Sequence, residues 1–317
     1  MNVIETRGLT KAYGHGRSRK MAVDGLDMRV GRGDIYGFVG KNGSGKSTTM
    51  KMLCGLATPT SGEIRLFGDA VGYTSGRRAI DGSWSRIGAL IESPGILPNL
   101  SARENLIAKA LSVGVVRAHE QCRELLELVG LDDAGQRKAK GFSLGMRQRL
   151  GLALALVGSP DLLLLDEPLN GLDPEATRAM RNALVRLNRE RGVTIVISSH
   201  VLDQLDRVAT RYGIIRAGHM VRELAEDELH ASCGNSIRIR TVDTARALAV
   251  LEERLPQATF RAEPDGSVLA SGIGASAEAI GRILLGAGEQ IIELGAVERD
   301  IEDYFVELMG DESRGGR

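Results

Sequence analysis

A glycine-rich segment, GKNGSGKST at residues 40–48, has the composition and spacing of a phosphate-binding loop. It fits the pattern G-x-x-x-x-G-K-[ST], in which glycines allow backbone N–H groups to approach phosphate oxygens. Lys46 is expected to reach the β- and γ-phosphates, and Ser47 offers a hydroxyl oxygen to Mg²⁺. We therefore predict that this segment binds a nucleotide through Gly40, Asn42, Gly43, Ser44, Gly45, Lys46, Ser47 and Thr48.

Two adjacent acids end the apolar run LLLLDEP at residues 162–168. Asp166 is expected to hold Mg²⁺, directly or through water, because hard carboxylate oxygens suit this ion. Successive strand side chains alternate, so we expect Glu167 to point elsewhere and to act as the general base that orients water for hydrolysis. Alone, the pair is also compatible with an ordinary acidic strand end, but the upstream phosphate-binding loop favours catalysis.

Two further residues are candidates for contact with the nucleotide. His200 ends the strand-like segment VISSH, at the edge where open α/β sheets bind ligands, and is expected to donate a hydrogen bond to the γ-phosphate. Tyr13, in KAYG, offers a ring on which adenine could stack. A surface or packing role explains Tyr13 equally well.

The apolar pattern predicts elements that bring these residues together. Four segments have the character of buried strands: 33–39, 161–168, 192–200 and 211–218. A loop and a helix follow the first of them. Residues 174–191 have helical periodicity behind Pro174, and residues 98–130 lack strand signals and are predicted helical. Strands that alternate with helices favour a parallel α/β core.

The composition changes after Gly234, and a different order of elements follows. Residues 235–310 are predicted to form strand–helix–strand–strand–helix–strand and a closing helix, which is the split βαβ, ferredoxin-like arrangement. We expect a small α+β domain there and a flexible polar tail at 311–317. The sequence reveals no recognisable site in this domain.

The composition is that of a globular protein without a strong electrostatic partner. The 317 residues carry 41 basic and 41 acidic side chains, so no global charge favours nucleic acid, and none is expected as a partner. Three widely spaced cysteines, Cys54, Cys122 and Cys233, suit a reducing compartment. The N-terminal residues lack a signal peptide and no apolar run is long enough to span a bilayer, so we expect a soluble, cytoplasmic chain.

The order of the motifs resembles that of the ATP-binding-cassette (ABC) ATPases. The similarity covers about residues 1–220: a phosphate-binding loop, GFSLGMRQRL at 141–150, LLLLDEP, NGLDP at 170–174 and SSH at 198–200. It implies a P-loop NTPase of ABC type over residues 1–230, with an N-terminal antiparallel β portion, a parallel-sheet core and a helical subdomain at about 92–158. In this family, Ser143 and Gly145 of the signature motif and Asp173 of the D-loop contact ATP in a head-to-tail dimer.

Two positions depart from the usual ABC pattern. Met146 and Glu92 stand where the family usually has glutamines of the signature motif and of the glutamine loop. Glu92 retains an oxygen ligand for Mg²⁺ but adds a negative charge near the phosphates. Both departures resemble the exporter ATPases of bacitracin-resistance and lantibiotic-immunity systems, and the C-terminal extension resembles drug-exporter ATPases.

This resemblance implies an ATPase that requires ATP and Mg²⁺. It would pair with a second copy of itself and drive a separate transmembrane permease subunit from the inner face of the cell membrane, exporting an antibiotic peptide or amphipathic drug. The alternative is a non-transport ABC ATPase that acts on nucleic acid or ribosomes, although such relatives usually carry long coiled-coil arms or two cassettes. A P-loop kinase is disfavoured, because a kinase needs no second carboxylate to activate water.

Overall fold

The computed structural model describes residues 1–14, 16–74, 77–78, 82–232, 236–263, 265–271, 277–297 and 301–308. The predicted tail at 311–317 and Cys233 therefore lie outside the described residues, whereas Cys54 and Cys122 are buried and form no disulfide within the described residues. The chain divides into two compact units, Met1–Glu226 and Asp227–Arg317. Along the described ranges, no helix is both long and apolar enough to cross a membrane.

Sixteen strands and ten α-helices are present in the described part of the chain. The strands are β1 Asn2–Tyr13, β2 Lys20–Gly31, β3 Ile35–Val39, β4 Ser61–Leu66, β5 Asp69–Ala70, β6 Tyr73–Thr74, β7 Arg77–Arg78, β8 Ile87–Leu90, β9 Leu162–Asp166, β10 Thr194–Ser199, β11 Arg211–Arg216, β12 His219–Ala225, β13 Ser236–Thr241, β14 Thr259–Ala262, β15 Val268–Ser271 and β16 Ile291–Val297. The helices are α1 Lys46–Leu53, α2 Ala102–Ser112, α3 Ala118–Leu128, α4 Leu144–Leu156, α5 Pro174–Arg191, α6 Asp203–Asp206, α7 Glu226–Ser232, α8 Thr244–Arg254, α9 Ala277–Gly286 and α10 Ile301–Leu308.

The central sheet of the first unit has the strand order β12-β11-β3-β10-β9-β8. Strands β8, β9, β10, β3 and β11 are parallel to their neighbours, and β12 is antiparallel at the edge. The central strands consist almost entirely of buried aliphatic residues, as expected of a parallel sheet covered on both faces. Since the carboxyl ends of parallel strands lie on the same side of the sheet, the residues that follow β3, β9 and β10 converge there. The predicted parallel core is confirmed.

An antiparallel sheet of order β2-β1-β4-β5 forms the N-terminal portion that was expected. Its inner face shares one hydrophobic core with the central sheet and α1, through residues such as Leu9, Leu26, Met50, Leu53 and Leu164. Helix α1 is therefore fixed by core packing on one side, while its N-terminus faces the edge where the strands converge.

The stretch predicted to be helical, 98–130, contains α2 and α3, and these pack on each other and on α4. Helix α2 begins with a capping box, in which the Ser101 hydroxyl accepts from the Glu104 N–H and the Glu104 carboxylate accepts from the Ser101 N–H. The buried Asn105 side chain bonds to the backbone of Leu97 and Ser101 and thereby fixes the entry to this helix. Helical structure thus lies between β8 and β9.

The second unit contains the predicted order of strand and helix, from β13 through α8, β14, β15 and α9 to β16, with α10 after it. Its sheet has the order β14-β15-β13-β16, and all three pairings are antiparallel. Residues Ile237 and Ile239 of the sheet form a core with Leu251 of α8 and with Ile280 and Leu284 of α9. This is the ferredoxin-like α+β arrangement that was predicted.

Candidate functional site

The loop after β3 has a backbone that only glycine allows at two of its positions. A Cβ atom added to Gly40 would lie 2.5 Å from the Ile215 carbonyl oxygen and 2.5 Å from the Ser44 hydroxyl oxygen. Gly45 has a φ of 112°, outside the range of ordinary L-residues, and a Cβ there would meet the Ala22 carbonyl oxygen at 2.5 Å. The loop is therefore closely wrapped, with Asn42 and Gly43 exposed at its tip.

The loop leads directly into α1, whose first turn is open to a ligand. The N–H groups of Lys46, Ser47 and Thr48 begin the helix and have no intrahelical acceptors, so they carry the positive end of the helix dipole. Within the described part of the chain, the buried Ser44 hydroxyl has no hydrogen-bond partner. Backbone N–H donors around a loop and a hydroxyl without a hydrogen-bond partner suit the binding of nucleotide phosphates.

Lys46 is buried at the centre of this loop. Its ammonium donates to the Gly40 carbonyl at 2.6 Å and to the Lys41 carbonyl at 3.3 Å, and it lies 3.4 Å from Oε1 of Glu167. Burial lowers the pKa of Lys46, while the charges of Glu167 and Asp166 oppose that shift. The P-loop cation and the acids at the end of β9 are thus brought together as predicted.

Glu167 occupies a different conformation from the one that strand alternation implies. Strand β9 ends at Asp166, and Glu167 has a φ of 50°, in the left-handed region that non-glycine residues rarely adopt. The side chain turns toward Lys46, and its Oε2 lies 2.8 Å from Nδ1 of His200. Our reason for the direction of Glu167 was therefore wrong: the turn after the strand, not the alternation along it, sets where the carboxylate points.

Ser198 connects both acids and was missing from the residues predicted from the sequence. Its fully buried hydroxyl donates to Oδ1 of Asp166 at 2.6 Å and accepts from the Glu167 N–H at 2.9 Å. The register of β9 and β10 places Ser198 opposite Asp166. A polar residue at a buried position of VISSH was the available signal, but only the strand pairing reveals its partner.

The residues expected to serve a second copy lie at two neighbouring helix N-termini. Ser143 is exposed and caps α4 by accepting from the Met146 N–H, and Asp173 is exposed and caps α5 by accepting from the Ala176 N–H. Gly145 is buried, and a Cβ there would lie 2.9 Å from Cβ of Ala176, so α4 and α5 approach closely at this point. Among the described residues, no hydrogen bond or ion pair joins any of these three to the phosphate-binding loop of the same chain.

The remaining two candidates have partners of their own. Tyr13 ends β1 with 46% of its surface exposed, and the Lys11 ammonium lies 5.0 Å from its ring centroid. Glu92 follows β8 with a φ of 63°, and its carboxylate forms an ion pair with Lys51 of α1 at 2.5 Å. The carboxylate of Glu92 is therefore held by Lys51, and within the described residues no hydrogen bond joins it to Ser47.

The arrangement can bind a nucleoside triphosphate and activate water beside its last phosphate. A helix N-terminus and Lys46 supply the positive groups, Asp166 and Ser47 supply hard oxygen atoms, and Glu167 supplies a carboxylate oriented by His200. The model of the ABC transporter family matches residues 23–170.

The similarity to known sequences extends beyond the first unit, Met1–Glu226. The chain is 38% identical over 309 residues to the bacitracin transport ATP-binding protein BcrA of Bacillus licheniformis, and 97% of each chain is covered. It is 38% identical over 225 residues to the lantibiotic transport ATP-binding protein SrtF of Streptococcus pyogenes, covering 71% of this chain and 92% of SrtF. The dimeric structure of MJ0796, a bacterial ABC transporter cassette, superposes with a TM-score of 0.63 at 25% identity over 70% of this chain and 98% of that chain. This chain therefore belongs to the ABC transporter family, as an ATP-binding protein that hydrolyses ATP.

Proposed function

We propose that the protein is the motor subunit of an exporter that carries an antibiotic peptide or an amphipathic drug through a separate transmembrane permease subunit. The observation that carries this proposal is the 38% identity to a bacitracin transport protein over 97% of both chains, the C-terminal unit included. The lantibiotic transport protein named above also favours an exporter over an ATPase that acts on nucleic acid or ribosomes. The chain would then work at the inner face of the cell membrane, held there by its permease.

In this proposal, each polar group at the strand edge has a defined role. The ammonium of Lys46 moves from loop carbonyls to the β- and γ-phosphates, and the helix N-terminus binds the same anion. Glu167 orients the attacking water and accepts its proton, because its carboxylate already lies beside Lys46, where the γ-phosphate would bind. Since Nδ1 of His200 lies 2.8 Å from Glu167, His200 holds the carboxylate in place and presents its other ring nitrogen to the phosphate.

The donor set also suits Mg²⁺. Asp166 and Ser47 provide hard oxygens near the phosphate site, and this ion typically takes few protein ligands and completes its shell with phosphate and water. When bound, Mg²⁺ would neutralise charge that develops on the phosphates. Glu92 is proposed as a third oxygen near this ion. Tyr13 is proposed as the platform for adenine, with half of its surface available for stacking.

A second copy of the chain completes the site in this proposal. Ser143 stands at the open N-terminus of α4, where its hydroxyl and the helix N–H groups form an anion-binding end that this chain's own P-loop does not use. Asp173 at the start of α5 stands beside it through the contact of Gly145 with Ala176. The dimeric architecture of the MJ0796 cassette supports such an arrangement.

The permease is proposed to dock in a groove beside the helical region. A cavity of about 910 Å³ is lined by β8, the segment 91–97, α2 and α4, and its walls include Leu56, Trp84, Leu90, Leu97 and Val113. Three of these side chains, Leu56, Leu97 and Val113, are 48–66% exposed in the single chain. A groove with both apolar and polar walls suits an amphipathic helix from a cytoplasmic loop of the permease, which would reach the segment that carries Glu92.

The test of the shared site is the variant Glu167→Gln, which retains the shape of the side chain but cannot accept a proton. Gel filtration at saturating Mg-ATP should give a dimer that dissociates when ATP is removed. As a matched control, Glu167→Gln combined with Ser143→Arg should bind ATP but remain a monomer, because the bulky cation blocks the partner's site. A monomer for the single variant would contradict the homodimer.

The test of the transporter role is co-purification of the tagged chain from gently solubilised membranes of its own host. An integral membrane protein at near-equal stoichiometry is expected. Recovery only from the soluble fraction, alone or with ribosomes or DNA, would contradict the proposal.

A further inference from the structure

The ion pair between Lys51 and Glu92 links the helix of the phosphate-binding loop to the segment after β8. Nζ of Lys51 lies 2.5 Å from Oε1 of Glu92. Lys51 is four residues after Ser47 on α1, so the two side chains lie on one face of the helix, one turn apart. Glu92 is therefore paired with a residue that lies one helical turn after Ser47, the residue proposed to bind Mg²⁺.

Lys51 is well fixed for this contact. Its carbonyl accepts from the N–H groups of Leu56 at 2.7 Å and Ala57 at 3.0 Å, so the backbone at the end of α1 is closed by hydrogen bonds. The side chain is 30% exposed, whereas that of Glu92 is 65% exposed. The Lys51 ammonium donates a hydrogen bond to the Glu92 carboxylate, so the pair joins the end of α1 to the segment after β8.

The charges around the proposed phosphate site explain why Glu92 requires a cationic partner. Asp166 and Glu167 already place two carboxylates at the strand edge, and Lys46 is the cation that opposes them. A third carboxylate at position 92 would repel a bound nucleotide unless its charge were compensated. A neutral glutamine would need no such compensation.

We propose that Lys51 is a positioning residue that neutralises Glu92 and so allows a carboxylate to stand beside the nucleotide phosphates. The two residues act as one unit, and the need for Lys51 exists only when position 92 carries a negative charge. This inference rests on the proposed function, because it assigns a partner to a residue of the same site. The competing explanation is an ordinary surface ion pair, which contributes little to any property.

A double-mutant cycle tests the proposal through binding rather than turnover. The wild type, Lys51→Met, Glu92→Gln and the double variant are titrated calorimetrically with the Mg²⁺ complex of a non-hydrolysable ATP analogue. Lys51→Met should raise the Kd about three- to tenfold when Glu92 is present, and less than about twofold in the Glu92→Gln background. Arg186→Met is the matched control, because it removes the cation of another exposed pair, with Glu190 on α5, and should leave the Kd unchanged.

Two results of the cycle would overturn the proposal. An equal rise of Kd in both backgrounds would mean that Lys51 acts on the nucleotide directly, and no rise in either would mean a surface pair without function. Circular dichroism of the four nucleotide-free proteins checks that all are folded. A wild type that fails to bind the Mg²⁺–nucleotide complex would contradict the proposed function instead, so the two failures are distinguishable.

Discussion

Removal of the Ser198 hydroxyl should weaken both the fold and catalysis. This hydroxyl is fully buried, donates to Asp166 at 2.6 Å and accepts from the Glu167 N–H at 2.9 Å. In Ser198→Ala, a carboxylate oxygen and a backbone N–H lose their partner. A buried polar group without a partner costs about 1–3 kcal/mol, so the loss of two partners should lower the unfolding free energy by roughly 2–6 kcal/mol.

The same change should lower turnover, because Ser198 fixes the backbone from which Glu167 extends. A residue that adopts φ of 50° is held there by its surroundings, and this hydrogen bond is one of those restraints. If about 1.4–2.8 kcal/mol of positioning is lost, kcat falls ten- to a hundredfold. The KM for Mg-ATP should rise as well, because Ser198 also holds Asp166, one of the residues proposed to bind Mg²⁺.

The neighbouring Ser199 provides a matched control. It is also buried, but its hydroxyl bonds to the backbone of Val201 and to Gln204, and neither of these is one of the two acids. Urea unfolding without nucleotide and steady-state ATP hydrolysis are measured for both alanine variants. Ser199→Ala should lose stability while its kcat stays within about threefold of the wild type. Equal loss of kcat in the two variants would refute the positioning role of Ser198.

Two further substitutions test the framework around the site. Ser101→Ala removes the cap of α2 and should lower the unfolding free energy by about 1 kcal/mol, whereas Ser101→Asp should be close to the wild type. Urea denaturation measures the stability of both variants. An alanine variant as stable as the wild type would contradict the capping box. Gly88→Ala places a methyl group against the Ala155 carbonyl oxygen, so β8 and α4 must separate and the midpoint of thermal unfolding should fall by several degrees. An unchanged midpoint would contradict the tight packing of β8 against α4.

The sequence predicted the residues whose roles depend on short spacing. The phosphate-binding loop, the acids after β9 and His200 each follow a strand, and parallel strands converge at one edge whatever their exact register. The C-terminal order of strands and helices was also predictable, because each element has its own apolar periodicity.

Roles that depend on pairing or on backbone turns escaped prediction. Ser198 meets Asp166 only through the register of β9 and β10, and no spacing along the chain encodes that contact. The direction of Glu167 followed from a left-handed turn instead of strand alternation. The partner of Glu92 lies 41 residues earlier, on α1, so its charge balance became visible only with the fold.

The contacts of Lys46 have a thermodynamic consequence for ligand binding. Its ammonium donates to two carbonyl groups of the loop and pairs with Glu167. Binding is therefore an exchange of partners in which the enthalpy of the old contacts is subtracted from that of the new ones. The affinity for nucleotide should consequently be moderate, and the release of the spent product correspondingly quick, even though the attraction between a buried cation and a polyphosphate is strong.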